Sequence, residues 1–172
     1  MKQVVYEFSR PLQVDRVPAL GCHERIAADE KECVALAKRL GLPMLHSLAG
    51  LLKIVPWRGG GLKITGTLKA EVDQVSVISL ELFTSTLEYA IERYYLSPRA
   101  GTPTPEEDVD MIENGIVDLG EILAETMALE LDPYPRQEGE VFSEIREELE
   151  PAKVSPFIGL SKLKPTGNKS KN

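Results

Sequence analysis

Apolar and polar residues alternate most regularly between positions 62 and 72. The even positions of this stretch are apolar or small, and the odd positions are lysine, threonine or glutamate. Because successive side chains of a strand point to opposite faces of a sheet, this period of two predicts a strand with one buried and one exposed face. Residues 45–55, which are apolar on both faces, predict a more central strand before it. Three glycines at positions 59–61 permit positive φ values and predict a hairpin between the two strands.

Two more strands are predicted around this hairpin. Apolar residues between positions 75 and 95 continue the alternation and predict a further strand, although Glu88 and Glu92 also fit helical spacing. Near the N-terminus, apolar residues alternate at positions 4, 6 and 8. They predict a first strand over residues 2–10, which Pro11 ends or pushes to a sheet edge.

A first helix is indicated after position 29. Asp29 and Glu32 have capping-box spacing, and an amphipathic segment follows them until Gly41 and Pro43 terminate it. His23, ahead of this helix, is predicted to lie in a loop.

A second helix is indicated near Asp118, which stands three residues before Glu121 in another capping-box arrangement. Val117 and Ile122 are placed for a hydrophobic staple across its first turn. The stripe predicted to be buried consists of Leu119, Ile122, Leu123, Thr126 and Met127.

Together these elements predict a single α+β domain over residues 1–150, with an antiparallel sheet, a long central hairpin and two or more packed helices. Residues 97–110 contain three prolines and no apolar period, which predicts a loop. Residues 151–172 are rich in lysine, proline and glycine. They predict a basic tail that is flexible when the protein is alone.

Charge is distributed unevenly along the chain, whose formal net charge is −7. Residues 105–150 contain 16 acidic and two basic side chains, whereas residues 151–172 contain five lysines and no acid. The overall acidity argues against indiscriminate binding of nucleic acid. A phosphate responds to the local potential, however, because salt screens charges over roughly 8 Å. Net charge alone therefore leaves the partner open.

The sequence lacks the residue spacings of common catalytic and metal sites. His23 and His46 have no partner at zinc-like spacing, and the three glycines do not lead a strand into a helix as in a phosphate loop. The two cysteines, Cys22 and Cys33, are predicted to be reduced thiols. We therefore expect a protein that is not an enzyme, has no cofactor, metal or small-molecule substrate, and is cytoplasmic with no membrane span.

Two features remain as candidate binding sites. On the exposed face of the hairpin, basic side chains accompany a tryptophan, a combination that could contact phosphates and stack a base. Alternatively, these lysines only solvate a strand face and protect a sheet edge. The candidate RNA contacts are Lys53, Trp57, Arg58, Lys63 and Lys69. In the tail, an apolar island either docks on its own domain or binds a partner; its candidate residues are Pro156, Phe157, Leu160, Leu163 and Lys164.

Four stretches follow one another along the chain: a central strand at 66–72, the segment after it at 74–83, an Ile-Asp-Leu-type helix with its following prolines at 114–135, and a terminal Pro-Phe to Leu-Lys signature at 156–164. In this order they resemble the YceD-type family of large ribosomal RNA subunit accumulation proteins. Many members carry one cysteine or a Cys-x-x-Cys pair where this chain has Ser76 and Ser79. Because a hydroxyl is a poor zinc ligand, no metal or redox role is carried over to these positions.

The resemblance implies a non-catalytic factor that supports 23S ribosomal RNA accumulation or processing and biogenesis of the large ribosomal subunit. The partner would be ribosomal RNA or a ribosome-assembly protein. Two mechanisms stay open. In one, the basic hairpin face and the lysine tail bind RNA directly. In the other, the protein is an adaptor that acts through its tail and acidic segment without touching RNA.

Overall fold

The computed structural model describes residues 6–100 and 108–140 of the 172-residue chain. In chain order its elements are β1 (Pro11–Gln13), β2 (Cys22–Ala27), α1 (Glu30–Leu40), β3 (Met44–Trp57), β4 (Gly61–Val75), β5 (Leu82–Leu96), β6 (Asp110–Met111), β7 (Ile116–Asp118) and α2 (Leu119–Glu130). The described residues belong to one compact unit, Met1–Glu140. The predicted domain boundary at residue 150 lies outside them.

Strands β2 to β6 form one sheet in the order β2-β3-β4-β5-β6, and β1 pairs with β7 in a separate two-stranded sheet. Every neighbouring pair is antiparallel except β5 and β6, which run parallel for two residues. The predicted α+β class with its long central hairpin is confirmed. The third long strand is confirmed from Leu82 onward as β5, whereas Val75 ends β4 and residues 76–81 form the turn between the two strands. The helical alternative for Glu88 and Glu92 is wrong because both lie on β5.

The hairpin of β3 and β4 follows the alternation of the sequence. Its turn is a short 3₁₀ segment, Arg58–Gly60, in which Gly59 has a φ of 64°, a value that few residues other than glycine adopt readily. Residues at even positions of β4 point into the core, and the lysines and threonines at odd positions do not. The fully or nearly buried members are Leu62, Ile64, Leu68, Ala70 and Val72.

Both helices begin after the aspartates that the sequence predicted, but only α1 has the predicted capping box. At α1, the Asp29 side chain accepts from the Glu32 amide at 2.9 Å, and Glu32 accepts from the Asp29 amide at 2.8 Å. The helix ends at Gly41, which has left-handed backbone angles. At α2, Asp118 caps the amides of Gly120 and Glu121, but the Glu121 side chain does not close a capping box; it binds an arginine of α1 instead.

The core lies between one face of the sheet and the two helices. Leu36 of α1 and Leu123 and Met127 of α2 are completely buried. The Leu123 side chain of α2 packs directly on Gly50 of β3, because a β-carbon there would lie 2.6 Å from Cδ2 of Leu123. All five residues of the predicted α2 stripe are buried, namely Leu119, Ile122, Leu123, Thr126 and Met127.

The strand predicted over residues 2–10 is misplaced, because the first strand of the described residues is β1 at Pro11–Gln13. Residues 6–10 are not a strand, and Pro11 begins β1 instead of ending a strand. A proline is tolerated there because it is the first residue of a short edge strand and needs no ladder hydrogen bond. The segment before it is fixed by other contacts: Phe8 is completely buried, and the Arg10 amide donates to Asp118 at 2.8 Å.

Two loop assignments also need correction. His23 lies on strand β2, opposite Lys53 of β3, and not in a loop. The predicted loop at 97–110 contains a 3₁₀ turn, Pro98–Ala100, and its last residue starts β6. Both strands are stabilised by pairing with distant segments, so their own sequence carries little signal.

Candidate functional site

The sheet has an open face, defined here as the face opposite α1 and α2. Residues directly across antiparallel strands share a face, and the register aligns Val55, Lys63 and Tyr94 in one row of the open face. The next row contains His23, Lys53, Thr65 and Glu92. No helix in residues 6–100 or 108–140 packs on this face.

An aromatic pair marks the end of the open face next to the β3–β4 turn. The ring centroids of Trp57 and Tyr94 are 5.0 Å apart with a tilt of 54°. The Arg58 guanidinium lies 4.6 Å from the Trp57 ring centroid, and the Lys63 ammonium lies 4.9 Å from that of Tyr94. Each cation is therefore held by the negative face of a ring. We call these four residues the aromatic cluster.

A cavity of about 490 Å³ opens beside the aromatic cluster. Trp57, Arg58 and Tyr94 contribute its stacking and cationic groups, and Glu92 and Asp108 contribute carboxylates. The carboxylates of this cavity weaken its attraction for phosphate.

Lys63 is already engaged by an acidic neighbour. Its ammonium lies 2.8 Å from Glu92, and the Tyr94 hydroxyl donates to the same carboxylate at 2.6 Å. The bond to Glu92 raises the pKa of Lys63 above its ordinary value, and the bond from Lys63 lowers the pKa of Glu92. Both groups therefore stay charged near neutral pH, and their charges largely cancel for an incoming phosphate.

The other predicted RNA contacts are spread along the open face. Lys69 pairs with Glu88 at 3.0 Å and lies six residues from Lys63 along β4, or about 20 Å. Lys53 is exposed on β3 and has no ion-pair partner among the residues that the structure describes. The structure thus brings Trp57, Arg58 and Lys63 together, leaves Lys53 nearby, and separates Lys69 from them.

A shallow basin of about 260 Å³ lies farther along the open face. It is flanked by Arg25 of β2 and Lys69 of β4, and its floor includes Leu51 and Thr67.

Two residues of the open face were not predicted from the sequence. Arg25 was missed because β2 was not predicted. Tyr94 was missed as a partner of Trp57 because 37 positions separate the two residues. The only available signal was the odd-position alternation of His23, Arg25 and Ala27.

Ser76 and Ser79 form hydrogen bonds and not a metal site. Both hydroxyls donate to the carboxylate of Glu140, that of Ser79 at 2.5 Å. The Ser76 oxygen also accepts from the amides of Ile78 at 3.1 Å and Ser79 at 3.3 Å. We call Ser76, Ser79 and Glu140 the clasp. The hydroxyl bonds, that of Ser76 first, lower the pKa of Glu140 below its ordinary value. Within the described ranges no three His, Cys, Asp or Glu side chains are grouped to hold a metal ion.

His46 is paired with an acid. Its Nε2 lies 2.9 Å from Asp73 Oδ1, and the Thr84 hydroxyl donates to the same oxygen at 2.7 Å. The bond from Thr84, followed by that from His46, lowers the pKa of Asp73. The threonine hydroxyl is bound to the acid and not to the imidazole, so the histidine does not activate it as a nucleophile.

The predicted partner motif of the tail lies outside the described residues. This applies to Pro156, Phe157, Leu160, Leu163 and Lys164. Their role stays a prediction.

Comparisons with protein-family models, curated proteins and solved structures gave no match to this chain. Membership of the YceD-type family therefore stays a prediction from the four sequence stretches. In the described ranges, α1 and α2 have 11 and 12 residues, and neither is long and apolar enough to cross a membrane.

Proposed function

We propose that the protein is a non-catalytic, cytoplasmic factor for the large ribosomal subunit, which supports accumulation of 23S ribosomal RNA by binding single-stranded RNA at the aromatic cluster. The observation that supports this proposal is the pairing of two half-buried rings, Trp57 and Tyr94, on the open face with a cation on each ring. Aromatic side chains beside cations are a general means of holding unpaired bases. No cofactor or metal is required for this function.

The ion pairs of the open face define the kind of RNA binding to expect. Since Lys63 and Lys69 are neutralised by Glu92 and Glu88, few phosphates can be contacted by unpaired cations. Stacking would supply most of the affinity, and the affinity would fall less steeply with salt than for a protein that neutralises many phosphates. The proposal therefore favours unpaired bases over duplex RNA.

Fluorescence provides a direct test, because Trp57 is the single tryptophan of the chain. Titration with a single-stranded RNA oligonucleotide from 23S ribosomal RNA should quench its emission. Stacking is worth about 1–3 kcal/mol per base. Tyr94→Ala should therefore weaken binding about 5- to 150-fold, since 1.36 kcal/mol corresponds to a factor of ten. Tyr134→Ala, which removes an exposed tyrosine elsewhere, is the matched control and should bind like the wild type.

The adaptor mechanism is the second candidate. It is favoured by the same ion pairs, because they leave the open face with little free positive charge. An adaptor would show no quenching of Trp57 at any RNA concentration. It would instead lose copurification of its protein partner on Phe157→Ala with unchanged unfolding behaviour. Unchanged RNA affinity in Tyr94→Ala would remove the stacking proposal.

A further inference from the structure

The hairpin of β4 and β5 ends in an exposed apolar tip, defined here as residues 75–82. Val75 and Leu82 are cross-strand partners at its base, and Val77 and Leu80 lie in the turn. The exposed fractions of these residues are 44% for Val75, 60% for Leu82, 43% for Val77 and 77% for Leu80. Single exposed aliphatic residues are ordinary, but four on one turn form a patch of the kind that marks a protein interaction site.

A neighbouring segment extends this patch. The Val77 amide donates to the Pro135 carbonyl at 2.9 Å, so the chain around Pro135 runs directly beside the tip. Tyr134, next to this carbonyl, is 67% exposed. Tyrosine offers a large, stiff contact surface and is common at protein interfaces.

The backbone of the tip is fixed before any partner arrives. The Ser76 amide donates to the Glu81 carbonyl at 2.9 Å, and the Leu80 amide donates to the Ser76 carbonyl at 3.0 Å. The clasp ties the same turn to Glu140. These bonds hold Leu80 at a φ of 62°, a value that a leucine seldom adopts. A strained, exposed residue in a fixed turn is typical of binding sites, because little conformational entropy remains to be lost on association.

The charges around the tip select the partner. Within residues 75–82 and 131–140 there are four carboxylates, Glu81, Asp132, Glu138 and Glu140, against the single guanidinium of Arg136. This negative rim repels nucleic acid and attracts a positively charged surface. The negative charge of this rim contrasts with the cations of the aromatic cluster. The two sites lie near opposite ends of β4, whose 15 residues span about 46 Å.

From these observations we propose that the tip docks into an apolar pocket on a basic protein, with Leu80 as the side chain that enters the pocket. The rim of this pocket on the partner is positively charged and faces Glu81, Asp132 and Glu138. Because the tip and the aromatic cluster are far apart, the protein can hold this partner and RNA at the same time.

The test uses the full chain and, as probes, individually purified basic proteins of the large ribosomal subunit. Only this choice of probes rests on the proposed function. Binding is measured by interferometry for the wild type and for Leu80→Asn, since asparagine tolerates the left-handed backbone and keeps the turn intact. Leu20→Asn is the matched control, because Leu20 is 96% exposed and lies near the opposite end of the sheet.

We expect the wild type and Leu20→Asn to bind at least one of these proteins equally, and Leu80→Asn to bind it at least tenfold more weakly. Binding should also weaken as salt is raised. Failure of the wild type to bind any of the probes would overturn the proposal, as would equal binding by Leu80→Asn. If the wild type self-associated and Leu80→Asn did not, the partner of the tip would be a second copy of this chain and not a basic protein. If Leu80→Asn abolished RNA binding, RNA and not a basic protein would be the ligand of the tip, which would also overturn the proposal.

Trp57→Ala separates this inference from the proposed function. It should bind the protein probe like the wild type whether or not the aromatic cluster binds RNA. Loss of RNA binding in Trp57→Ala with intact protein binding supports both proposals. Absence of RNA binding in the wild type, with protein binding that depends on Leu80, removes the RNA proposal alone.

Discussion

The guanidinium of Arg39 binds both carboxylate oxygens of Glu121, at 2.9 and 2.6 Å, and so joins the last turn of α1 to the first turn of α2. The Glu121 side chain is only 11% exposed. Such a two-bond pair is stronger than a single contact, and it raises the pKa of Arg39. The two helices are thus connected by charge as well as by the core.

Removal of one member of this pair should destabilise the fold. Arg39→Met leaves the Glu121 carboxylate nearly buried without its main partner, and we expect the free energy of unfolding to fall by about 2–3 kcal/mol. Urea unfolding followed by circular dichroism measures it. Arg25→Met, on the open face, is the control and should change stability by less than about 0.5 kcal/mol. Equal losses in the two variants would contradict the structural role of the pair.

Gly50 allows α2 to approach the sheet, which predicts a steric coupling with Leu123. Gly50→Ala places a β-carbon 2.6 Å from the Leu123 side chain, so the free energy of unfolding should fall by about 1–3 kcal/mol. In a Leu123→Ala background the added methyl fills part of the cavity, and Gly50→Ala should then cost less. Urea unfolding of the two single variants and the double variant measures this coupling. Simple additivity would show that α2 does not pack closely at this position.

The clasp should weaken in acid. The hydrogen bonds from Ser76 and Ser79 lower the pKa of Glu140 from its ordinary value of 4.5, so they favour the charged carboxylate. Their contribution to stability is present above pH 4.5 and is lost as the pH falls through the lowered pKa. Carbon-detected NMR titration should give a pKa for Glu140 below 4.5 in the wild type and a higher value in Ser79→Ala. An unchanged pKa in Ser79→Ala would exclude the bond from Ser79 as a cause.

Leu80 should be replaceable with a gain in stability. Its positive φ costs a leucine about 1 kcal/mol, and its side chain buries little surface. Leu80→Gly should therefore raise the free energy of unfolding by up to about 1 kcal/mol. Leu82→Gly, two residues later in β5, should lower it by about 0.5–1 kcal/mol, because glycine weakens a strand. Thermal unfolding of both variants checks the signs, and a loss in Leu80→Gly would show that its side chain is needed for packing.

Local patterns predicted the parts of the fold that depend on local physics. Asp29 and Glu32 mark the start of α1 because a capping box is complete within four residues. The alternation at 62–72 predicted which side of β4 is buried, since the pleat imposes a period of two. Strand β2 was missed, because its alternation extends over only six residues and its pairing with β3 stabilises it. Glu121 completed a capping-box spacing but binds Arg39, a contact that no local pattern contains.

In the candidate site too, local patterns predicted some features, and contacts between distant residues determined the others. Alternation placed Lys63 and Lys69 on the exposed side of β4. Their neutralisation by Glu92 and Glu88 could not be predicted, because it requires the register between β4 and β5. The closeness of Trp57 and Tyr94 depends on the same register. A cation read from a sequence therefore indicates a phosphate contact only when the facing strand is known.

The pairing of β1 with β7 has a consequence for the order of folding. It joins Pro11 to Asp118, and the buried Phe8 lies just before it, so the N-terminal segment depends on residues more than a hundred positions later. Contacts of such long sequence separation form slowly, because the loop that connects them must first be closed. During synthesis, β1 leaves the ribosome before β7 and remains unpaired until β7 has emerged. Among the strands in residues 6–100 and 108–140, the first in chain order is thus one of the last to be incorporated into the native structure.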